Sequence, residues 1–443
     1  MKIRFVTLGC KLNFAESSAI GKALLQRGHT RAKQGEEADI CVINTCSVTD
    51  NADHKDRQTI HRIHRQNPNA IIIITGCYAQ LQPEQIAQIE GVDYVLGQNE
   101  KYEITQLVDD IERLRDSLED ASLQDAASGY SLEAQKIRVA NIREVDEFHG
   151  AYSKDDRTRC FLKVQDGCNY FCTYCTIPYA RGKSRNPKIE EVVKDAQEAI
   201  SQGAKEIILT GVNIGDFGRS TGESFLELLR ALDGLEAKGE RREAKGMDYR
   251  IRISSCEPNL LTNEIIDFVA QSKHFAPHFH IPLQSGSNEV LSIMKRRYTR
   301  ELFEERVQHI KQVMPHAFIG VDCMVGVRGE TEECFNDYVD FIKRLDVSQL
   351  HVFTYSERAN TRMLELDVCI VPKAERQRRS KILHEISEEK TRTFYANQTG
   401  REAIVLWESK KEGDQMAGFT ENYVKVYRPY DKAKVNTFEV IRL

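Results

Sequence analysis

CNYFCTYC, at residues 168–175, places three cysteines in a C-x3-C-x2-C pattern directly after the apolar segment 160–165. Three thiolates this close, on a loop that leaves a predicted strand, can bind three irons of a cubane [4Fe–4S] cluster, which requires soft sulfur ligands. No further cysteine follows nearby to complete the set, so one iron would stay open to a substrate or cofactor. The alternative is a structural zinc loop, but zinc normally takes four ligands, and no second C-x2-C pair or histidine pair follows.

Composition limits the class of protein. A chain of 443 residues predicts two or three domains. The net charge of −5 gives no global nucleic-acid signature, so any contact with RNA would come from local basic patches. No apolar run approaches the roughly 18 residues that span a bilayer, and the N-terminus runs into a strand pattern instead of a signal peptide. Twelve cysteines in such a chain indicate metal or redox use in a reducing compartment, and we expect a cytoplasmic location without membrane contact.

The N-terminal third repeats one arrangement three times. Short apolar runs rich in β-branched residues, typical of strands buried on both faces of a parallel sheet, each lead to a cysteine. The runs lie at 3–8, 40–43 and 71–74, and they lead to Cys10, Cys46 and Cys77. Helical patterns between the runs predict an open, doubly wound α/β sheet.

These three cysteines follow strands whose carboxyl ends would lie at one edge, where open α/β sheets gather their ligands. They are too far apart in sequence for a local loop motif, but the predicted fold would bring them together. The alternative is that they are small buried residues at strand ends, since free cysteine is often buried. Cys41, which lies within its strand, is interpreted as a core residue of that kind.

The middle of the chain alternates six strand patterns with helical patterns. The predicted strands are 161–164, 206–209, 249–253, 278–282, 318–325 and 349–353. A complete eight-fold barrel usually needs about 250 residues, so we predict a partial (β/α)6 barrel with its site at the carboxyl ends of the strands. From residue 398 onward, short alternating strands predict a small antiparallel β-barrel, which makes the whole chain an α/β multidomain protein.

Four motifs together resemble the radical S-adenosylmethionine (SAM) methylthiotransferase family. They read TLGCKLN at 7–13, NTC at 44–46, TGCYAQ at 75–80 and GCNYFCTYCTIPYARG at 167–182. The resemblance implies SAM and two catalytic [4Fe–4S] clusters as cofactors, one that binds SAM and generates a radical and one that delivers sulfur. It implies that the radical-generating cluster is held by Cys168, Cys172 and Cys175, and the sulfur-delivering cluster by Cys10, Cys46 and Cys77.

The same resemblance places candidate SAM contacts after the barrel strands. TGVNIGD at 210–216 looks like the glycine-rich turn of the family, and LQSGS at 283–287 and MKRRY at 294–298 resemble its later segments. SSCEP at 254–258 offers hydroxyls and a carboxylate for ribose or methionine groups, although it equally suits a helix cap and turn. The candidate SAM-binding residues are Gly211, Asn213, Ser254, Glu257, Gln284, Ser285 and Arg296.

The C-terminal sequence suggests contact with RNA. A basic helical stretch, 371–397, precedes the small β-domain, in which GFTENY at 418–423 resembles the RNA-binding TRAM module of the family. Aromatic side chains there could stack on unpaired bases. The candidate RNA-binding residues are Arg378, Arg379, Phe419 and Tyr423, with a solvated helix face and a barrel core as the alternatives.

The patterns divide the chain into five predicted parts. These are the N-terminal α/β domain 1–115, a connector 116–155, the barrel 156–370, the basic helix 371–397 and the TRAM domain 398–443. The resemblance implies methylthiolation of tRNA, converting N6-threonylcarbamoyladenosine at position 37 into its 2-methylthio derivative. It implies three partners, namely the tRNA anticodon stem-loop, an electron donor such as flavodoxin or ferredoxin, and a sulfur donor. The alternatives are N6-isopentenyladenosine or a protein side chain as substrate, and a non-catalytic RNA-binding metalloprotein.

Overall fold

The structure is a computed structural model that describes residues 1–33, 35–120, 136–153, 158–235 and 247–443. Part of the predicted connector 116–155 lies outside the described residues. The chain forms two compact units, the first made of Met1–Glu147 with Thr176–Lys183 and the second of Phe148–Cys175 with Ser184–Leu443. No helix among the described residues is long and apolar enough to cross a membrane. The five-part division of the chain stays a prediction.

The first unit is built on a six-stranded parallel sheet with the strand order β2-β1-β3-β4-β5-β6. Its elements are β1 Lys2–Thr7, α1 Lys11–Gln26, β2 Thr30–Arg31, β3 Ile40–Thr45, α2 Asp50–Gln66, β4 Ile71–Gly76, α3 Cys77–Leu81, α4 Pro83–Ala87, β5 Tyr94–Leu96, α5 Ile104–Asp120 and β6 Ile137–Arg138. The central strands β3 and β4 are mostly apolar and almost completely buried because helices cover both faces of the sheet. Alternate residues of β3 therefore enter two separate cores, with Cys41 and Ile43 in one and Ile40 and Val42 in the other. The predicted doubly wound sheet is confirmed.

The second unit contains six parallel strands in barrel order. Its elements before the C-terminal sheet are β7 Ala151–Tyr152, β8 Arg159–Lys163, α7 Ile189–Ser201, β9 Glu206–Thr210, α8 Phe225–Asp233, β10 Arg250–Ile253, α9 Asn263–Gln271, β11 His278–Gln284, α10 Asn288–Ile293, α11 Arg300–Val313, β12 Phe318–Val325, α12 Glu332–Arg344, β13 Gln349–Thr354 and α13 Lys373–Ala396. The remaining helix, α6 Ile177–Arg181, belongs to the first unit.

The barrel strands form two hydrogen-bonded sheets, β10-β9-β8-β7 and β11-β12-β13. A parallel bridge between Ser255 and His280 joins them, so β8 to β13 form the predicted partial barrel. Alternation along β11 sends Phe279, Ile281 and Leu283 into the core shared with the surrounding helices. The other residues of each barrel strand face the interior of the barrel. The candidate SAM-binding residues lie at or after the carboxyl ends of these strands.

Four antiparallel strands end the chain, β14 Glu402–Glu412, β15 Gln415–Thr420, β16 Lys425–Pro429 and β17 Phe438–Arg442. They pair in the order β16-β15-β14-β17, as expected for the predicted small antiparallel β-domain. Buried arginines of β10 attach this C-terminal sheet to the barrel. Arg250 donates to the carbonyls of Ile404 at 3.0 Å and Phe419 at 2.9 Å, and Arg252 donates to that of Glu421 at 3.0 Å. Both arginines also pair with the buried carboxylate of Glu206 on β9.

Candidate active site

The parallel register of the first unit aligns the ends of three strands. Thr7 pairs with Asn44, and Asn44 pairs with Thr75, so the cysteines that follow β1, β3 and β4 lie at the same edge of the sheet. Two glycines permit the close approach of the strand ends. Gly9 has φ +90°, and a Cβ there would lie 2.8 Å from Cys46 Sγ. Gly76 has φ +101°, and a Cβ there would lie 2.6 Å from the backbone nitrogen of Thr45. The structure thus brings Cys10, Cys46 and Cys77 together.

These three cysteines occupy a site of mixed exposure. Cys46 and Cys77 are buried, whereas Cys10 is exposed. Burial raises the pKa of Cys46 to about 12, and the charges of Cys77 and Cys10 raise it further in the same direction. Burial also raises the pKa of Cys77, and the Arg181 guanidinium opposes this effect. The thiols of Cys46 and Cys77 would therefore ionise at neutral pH only if a bound metal replaced their protons.

Polar neighbours fix the positions of all three cysteines. The amide of Gln98 donates to Cys77 Sγ at 3.2 Å, and Cys10 Sγ donates to Asn13 Oδ1 at 3.8 Å. The backbone N–H of Cys46 donates to Asp56 Oδ2 at 2.8 Å. Such contacts orient metal ligands and tune the metal that they hold.

The loop 168–175 of the second unit is equally well anchored. Thr173 Oγ1 donates to the Ile293 carbonyl at 2.9 Å, and the backbone N–H of Cys175 donates to the Cys172 carbonyl at 3.0 Å. The N–H of Tyr170 donates to Cys168 Sγ at 3.4 Å. Burial raises the pKa of Cys168 to about 12, and the neighbouring Cys172 adds to this effect.

Arg296 brings together two of the residues predicted from the sequence. Its guanidinium donates to Cys172 Sγ at 3.1 Å and pairs with the Glu257 carboxylate. Its Nε donates to the Tyr298 hydroxyl at 3.0 Å. Burial raises the pKa of the Cys172 thiol and the positive charge of Arg296 opposes that rise, so Arg296 favours the thiolate that an iron would bind.

Gln165 connects two segments of the candidate site, and the sequence reasoning missed it. Its buried side chain donates to the Gly167 carbonyl at 2.8 Å and accepts from the backbone N–H groups of Val212 at 2.9 Å and Asn213 at 2.8 Å. It thereby joins the cysteine loop to the glycine-rich turn after β9. A Cβ on Gly211 would lie 2.9 Å from Gln165 Oε1, so this contact explains the glycine. The sequence feature that could have identified Gln165 is a polar residue at the end of an apolar strand.

Two candidate SAM-binding residues have buried amide atoms without a hydrogen bond among the described residues. Both side-chain polar atoms of the buried Asn213 lack a hydrogen bond of good geometry among the described residues, and so does Gln284 Oε1. Gln284 also has φ +64°, a backbone conformation that is strained for a residue other than glycine. A buried amide without a partner costs about 1–3 kcal/mol, and strain of this kind concentrates at ligand sites. Both residues suit a bound molecule that carries amino, carboxylate and hydroxyl groups, as SAM does.

The two serines among the candidates are buried. The Ser285 hydroxyl accepts from the backbone N–H of Ser287 at 3.2 Å and so shapes the turn before α10. Ser254 lies at the end of β10, next to the bridge that joins the two barrel sheets. Their roles as SAM ligands stay predictions.

The donor sets, both made of cysteine alone, provide the test of whether iron–sulfur clusters fit. Among the described residues, no three histidine, cysteine or carboxylate side chains converge closely enough to share one metal ion. A cubane cluster spaces its ligands more widely, because each thiolate binds a different iron. Three soft thiolates without a fourth fit such a cluster with one open iron at each site. SAM would then be held at the site in the second unit.

The candidate RNA-binding residues take different positions. Arg378 is exposed and pairs with Glu332 at 2.7 Å and Glu375 at 2.6 Å. Arg379 is buried, and its guanidinium pairs with Glu330 at 2.7 Å, so it offers no charge to an external partner in this conformation.

Phe419 and Tyr423 are half-buried against the barrel. The Arg159 guanidinium lies 4.9 Å from the centre of the Phe419 ring, and it donates to the Tyr423 hydroxyl at 3.2 Å. Among the described residues of the C-terminal β-domain, the exposed large aromatic side chains are instead Tyr427 in β16 and Tyr430 directly after it. An RNA-binding role for the four candidates stays a prediction.

Comparison with known proteins gives matches over almost the whole chain. The family described as "Uncharacterized protein family UPF0004" matches residues 2–97, and the family described as "Radical SAM superfamily" matches residues 162–342. The chain is 37% identical to the threonylcarbamoyladenosine tRNA methylthiotransferase MtaB of Bacillus subtilis, covering 96% of this chain and 89% of that protein. It is 35% identical to the MtaB protein of Aquifex aeolicus, covering 97% of each.

A further relative and a solved structure also resemble this chain. The chain is 31% identical to the tRNA-2-methylthio-N(6)-dimethylallyladenosine synthase of Pelotomaculum thermopropionicum, covering 94% of this chain and 88% of that protein. The structure resembles that of TsrM, a radical SAM methyltransferase of Kitasatospora setae, with a TM-score of 0.54 and 16% identity over 80% of this chain and 74% of that one. At this identity the structural likeness supports the fold alone.

Proposed function

The chain belongs to the tRNA methylthiotransferase family of radical SAM enzymes, and we propose that it converts N6-threonylcarbamoyladenosine at position 37 of tRNA into its 2-methylthio derivative. The observation that carries this proposal is the full-length similarity to the two MtaB proteins, each at least 35% identical. Family membership makes the chain an enzyme and removes the alternative of a non-catalytic RNA-binding metalloprotein. The dimethylallyladenosine substrate remains the second candidate because of the full-length relative that bears that name.

Enzymes of this family use SAM and two [4Fe–4S] clusters. When bound, these cofactors supply radical chemistry at an inert C–H bond and a sulfur that can be transferred to carbon. The C2–H bond of adenine resists acid–base chemistry near neutral pH, which is why a radical route suits this substrate. We infer that the radical-generating cluster is held by Cys168, Cys172 and Cys175, and the sulfur-delivering cluster by Cys10, Cys46 and Cys77.

The side chains of this protein have distinct tasks in the proposed reaction. Arg296 stabilises the Cys172 thiolate and holds the Glu257 carboxylate beside it. Asn213 and Gln284 present buried amide groups to SAM. Gln165 keeps the cysteine loop and the glycine-rich turn in one rigid arrangement. Together these contacts would hold the cysteine loop, the glycine-rich turn and the buried amides in a fixed arrangement for a bound SAM.

The partners follow from the substrate and the cofactors. We infer that the anticodon stem-loop is the part of tRNA that the enzyme recognises, since position 37 lies there. One-electron reduction of the radical-generating cluster would require a small electron carrier such as flavodoxin or ferredoxin. We therefore propose that the protein acts in the cytoplasm.

The substrate is tested by mass spectrometry of nucleosides from a strain that lacks the gene. We expect 2-methylthio-N6-threonylcarbamoyladenosine to be absent, to return with the wild-type gene, and to stay absent with Cys168→Ala. Cys369→Ala is the matched control, because this exposed cysteine lies outside both sets and should restore the nucleoside fully. Loss of the isopentenyl derivative instead would move the substrate to the second candidate, and no change in any methylthio nucleoside would point to a protein side chain.

The division of labour between the two cysteine sets is tested by iron content. The reconstituted wild-type protein should bind about eight irons, since each cubane cluster holds four. A variant with alanine at Cys10, Cys46 and Cys77 should bind about four and should still cleave SAM to 5′-deoxyadenosine under reduction. Retention of about eight irons by that variant would refute the assignment of the first set.

A further inference from the structure

Helix α2 of the first unit separates its acidic side chains from its basic ones. Asp53 and Asp56 are buried and bind the segment that carries the second cysteine. Asp53 Oδ1 accepts from the Ser47 hydroxyl at 2.7 Å, and Asp56 Oδ2 accepts from the backbone N–H of Cys46 at 2.8 Å. Over the described range 51–66, the exposed positions of the helix hold no acidic residue. The helix is thus fixed to the cysteine edge by its acids and presents its bases to solvent.

Three exposed cations, Lys55, Arg62 and Arg65, make up the cationic face of α2. Arg62 follows Lys55 by about two helical turns, so the two side chains lie on the same side of the helix. Arg65 follows Arg62 by three residues and is its neighbour on the helix surface. At 1.5 Å per residue, the cationic face extends over about 15 Å. A duplex carries about one phosphate per 3.4 Å of axis on each strand, so a surface of this length can contact several successive phosphates.

The cationic face has no carboxylate partner within the part of the chain that the structure describes. Lys55, Arg62 and Arg65 form no ion pair there, and Arg65 Nε donates to the His61 carbonyl at 3.3 Å. Exposed carboxylates do border the helix, at Asp50 in its first turn and at Glu90 in the loop after α4, but neither pairs with the face. The three cations are therefore available to a partner outside the protein.

A solvated helix face does not explain this composition. Such a face usually alternates the sign of its charges and contains pairs three or four residues apart. Helix α5 of the same unit shows that pattern, since its Arg113 pairs with Asp110 at 3.1 Å. Like charges on neighbouring turns repel one another instead. A surface with cations of one sign, held in place by buried contacts, favours an extended anion such as the phosphate backbone of a nucleic acid.

We propose that the cationic face of α2 binds the phosphate backbone of the substrate RNA and holds it beside the edge that carries Cys10, Cys46 and Cys77. The helix begins four residues after Cys46, and a nucleoside that receives sulfur at this edge brings its own phosphates there. Contacts with phosphates supply affinity and position but do not read the bases. The inference rests on the proposed function for the identity of the RNA. It goes further by assigning RNA binding to a helix of the first unit, away from the candidate residues near the C-terminus.

The test measures how salt weakens RNA binding by the reconstituted full-length protein. The probe is a fluorescent anticodon stem-loop RNA that carries N6-threonylcarbamoyladenosine at position 37, and its anisotropy is followed at several concentrations of potassium chloride. The logarithm of the affinity falls linearly with the logarithm of the salt concentration, by about 0.7–0.9 for each phosphate that the protein neutralises. A variant with Lys55→Gln, Arg62→Gln and Arg65→Gln should therefore have a slope that is smaller by about 2–3.

Two controls separate phosphate binding from a structural role. A variant with Lys55→Arg, Arg62→Lys and Arg65→Lys keeps every charge and should keep the wild-type slope. Arg113→Gln removes an exposed arginine of the same unit that already pairs with Asp110, so the slope should change little. All variants should bind as much iron as wild type and cleave SAM equally well without RNA.

The outcomes distinguish this inference from the proposed function. An unchanged slope in the glutamine variant would overturn the inference and leave the cationic face to an acidic protein or an anionic membrane. An equal reduction in Arg113→Gln would also overturn it, because any lost charge would then have the same effect. If wild type binds and methylthiolates the RNA while the slope stays unchanged, the inference alone is wrong. If wild type does not bind this RNA, the proposed function is wrong as well.

Discussion

Glu206→Gln should loosen the C-terminal sheet from the barrel. The Glu206 carboxylate is fully buried between Arg250 and Arg252, and these arginines donate to carbonyls of β14 and of the segment after β15. Breaking a buried ion pair typically costs 3–5 kcal/mol, because the remaining charge stays desolvated. Glutamine keeps one acceptor oxygen in place, so we expect the lower end of that range, about 3 kcal/mol.

The assay uses the single tryptophan of the chain. Trp407 is buried in β14, and its fluorescence reports unfolding of the C-terminal sheet. With a urea dependence of about 1–3 kcal/mol per molar, a loss of about 3 kcal/mol lowers the midpoint by roughly 1–3 M. Glu301→Gln is the matched control, because that carboxylate is 60% exposed and its pair with Arg300 lies at the surface. An exposed pair of this kind contributes less than about 1 kcal/mol. Equal midpoints for Glu206→Gln and wild type would refute the reasoning.

The same pair predicts a dependence on pH. Burial by itself would raise the pKa of Glu206, but Arg250 and Arg252 outweigh it and hold the pKa below its ordinary value of 4.5. A carboxylate whose pKa is lowered by folding stabilises the folded state fully above its unfolded pKa, and this contribution is lost as the pH falls below it. The difference in urea midpoint between wild type and Glu206→Gln should therefore be constant above pH 4.5 and shrink below it.

Three further predictions concern backbone strain, a buried arginine and SAM. Gly76→Ala should lower the free energy of unfolding by about 3 kcal/mol, because the new Cβ would meet backbone atoms at a residue with positive φ. Gly28→Ala is the control: its φ is similar but nothing lies near the new Cβ, so the loss should be about 1 kcal/mol. Thermal unfolding followed by circular dichroism measures both. Arg379→Ala should destabilise the protein by about 3 kcal/mol because it strands the buried Glu330, and Arg378→Ala should change little in the same urea titration. Asn213→Ala should weaken SAM binding about tenfold through loss of one buried hydrogen bond, measured by equilibrium dialysis at unchanged iron content; unchanged affinity would remove Asn213 from the site.

Much of the fold and both cysteine sets could be predicted from the sequence. The strands are runs of β-branched residues with helices between them, so their burial on both faces was evident from composition. Cys168 and its neighbours form a local motif. Cys10, Cys46 and Cys77 could be predicted to lie together because each follows a parallel strand, and the carboxyl ends of parallel strands lie at the same edge of a sheet.

The residues that could not be predicted from the sequence form ion pairs with partners far away in the chain. Arg181 lies within the most informative motif of the chain, but its partner Glu16 is 165 positions away. Nothing local distinguishes Glu206 from the surface glutamates of the chain. Arg379 occurs in a basic run that predicts exposure, although α13 packs along β13 and turns this residue toward Glu330. Helical periodicity does not indicate which charged face is covered, because the covering element is remote in sequence.

The composition of the first unit has a consequence for how the protein is made. Helix α6 follows Cys175 directly in the chain, yet it packs against α3 and contributes Arg181 to the first unit. A growing polypeptide that has left the ribosome only as far as Glu147 holds the ion pair of Glu16 and Lys101, but Arg181, which also pairs with Glu16, has not yet been made. The first unit therefore reaches its complete form only after synthesis has continued past Lys183. A fragment cut at the end of the N-terminal third would hold the first three cysteines next to an incomplete set of charges.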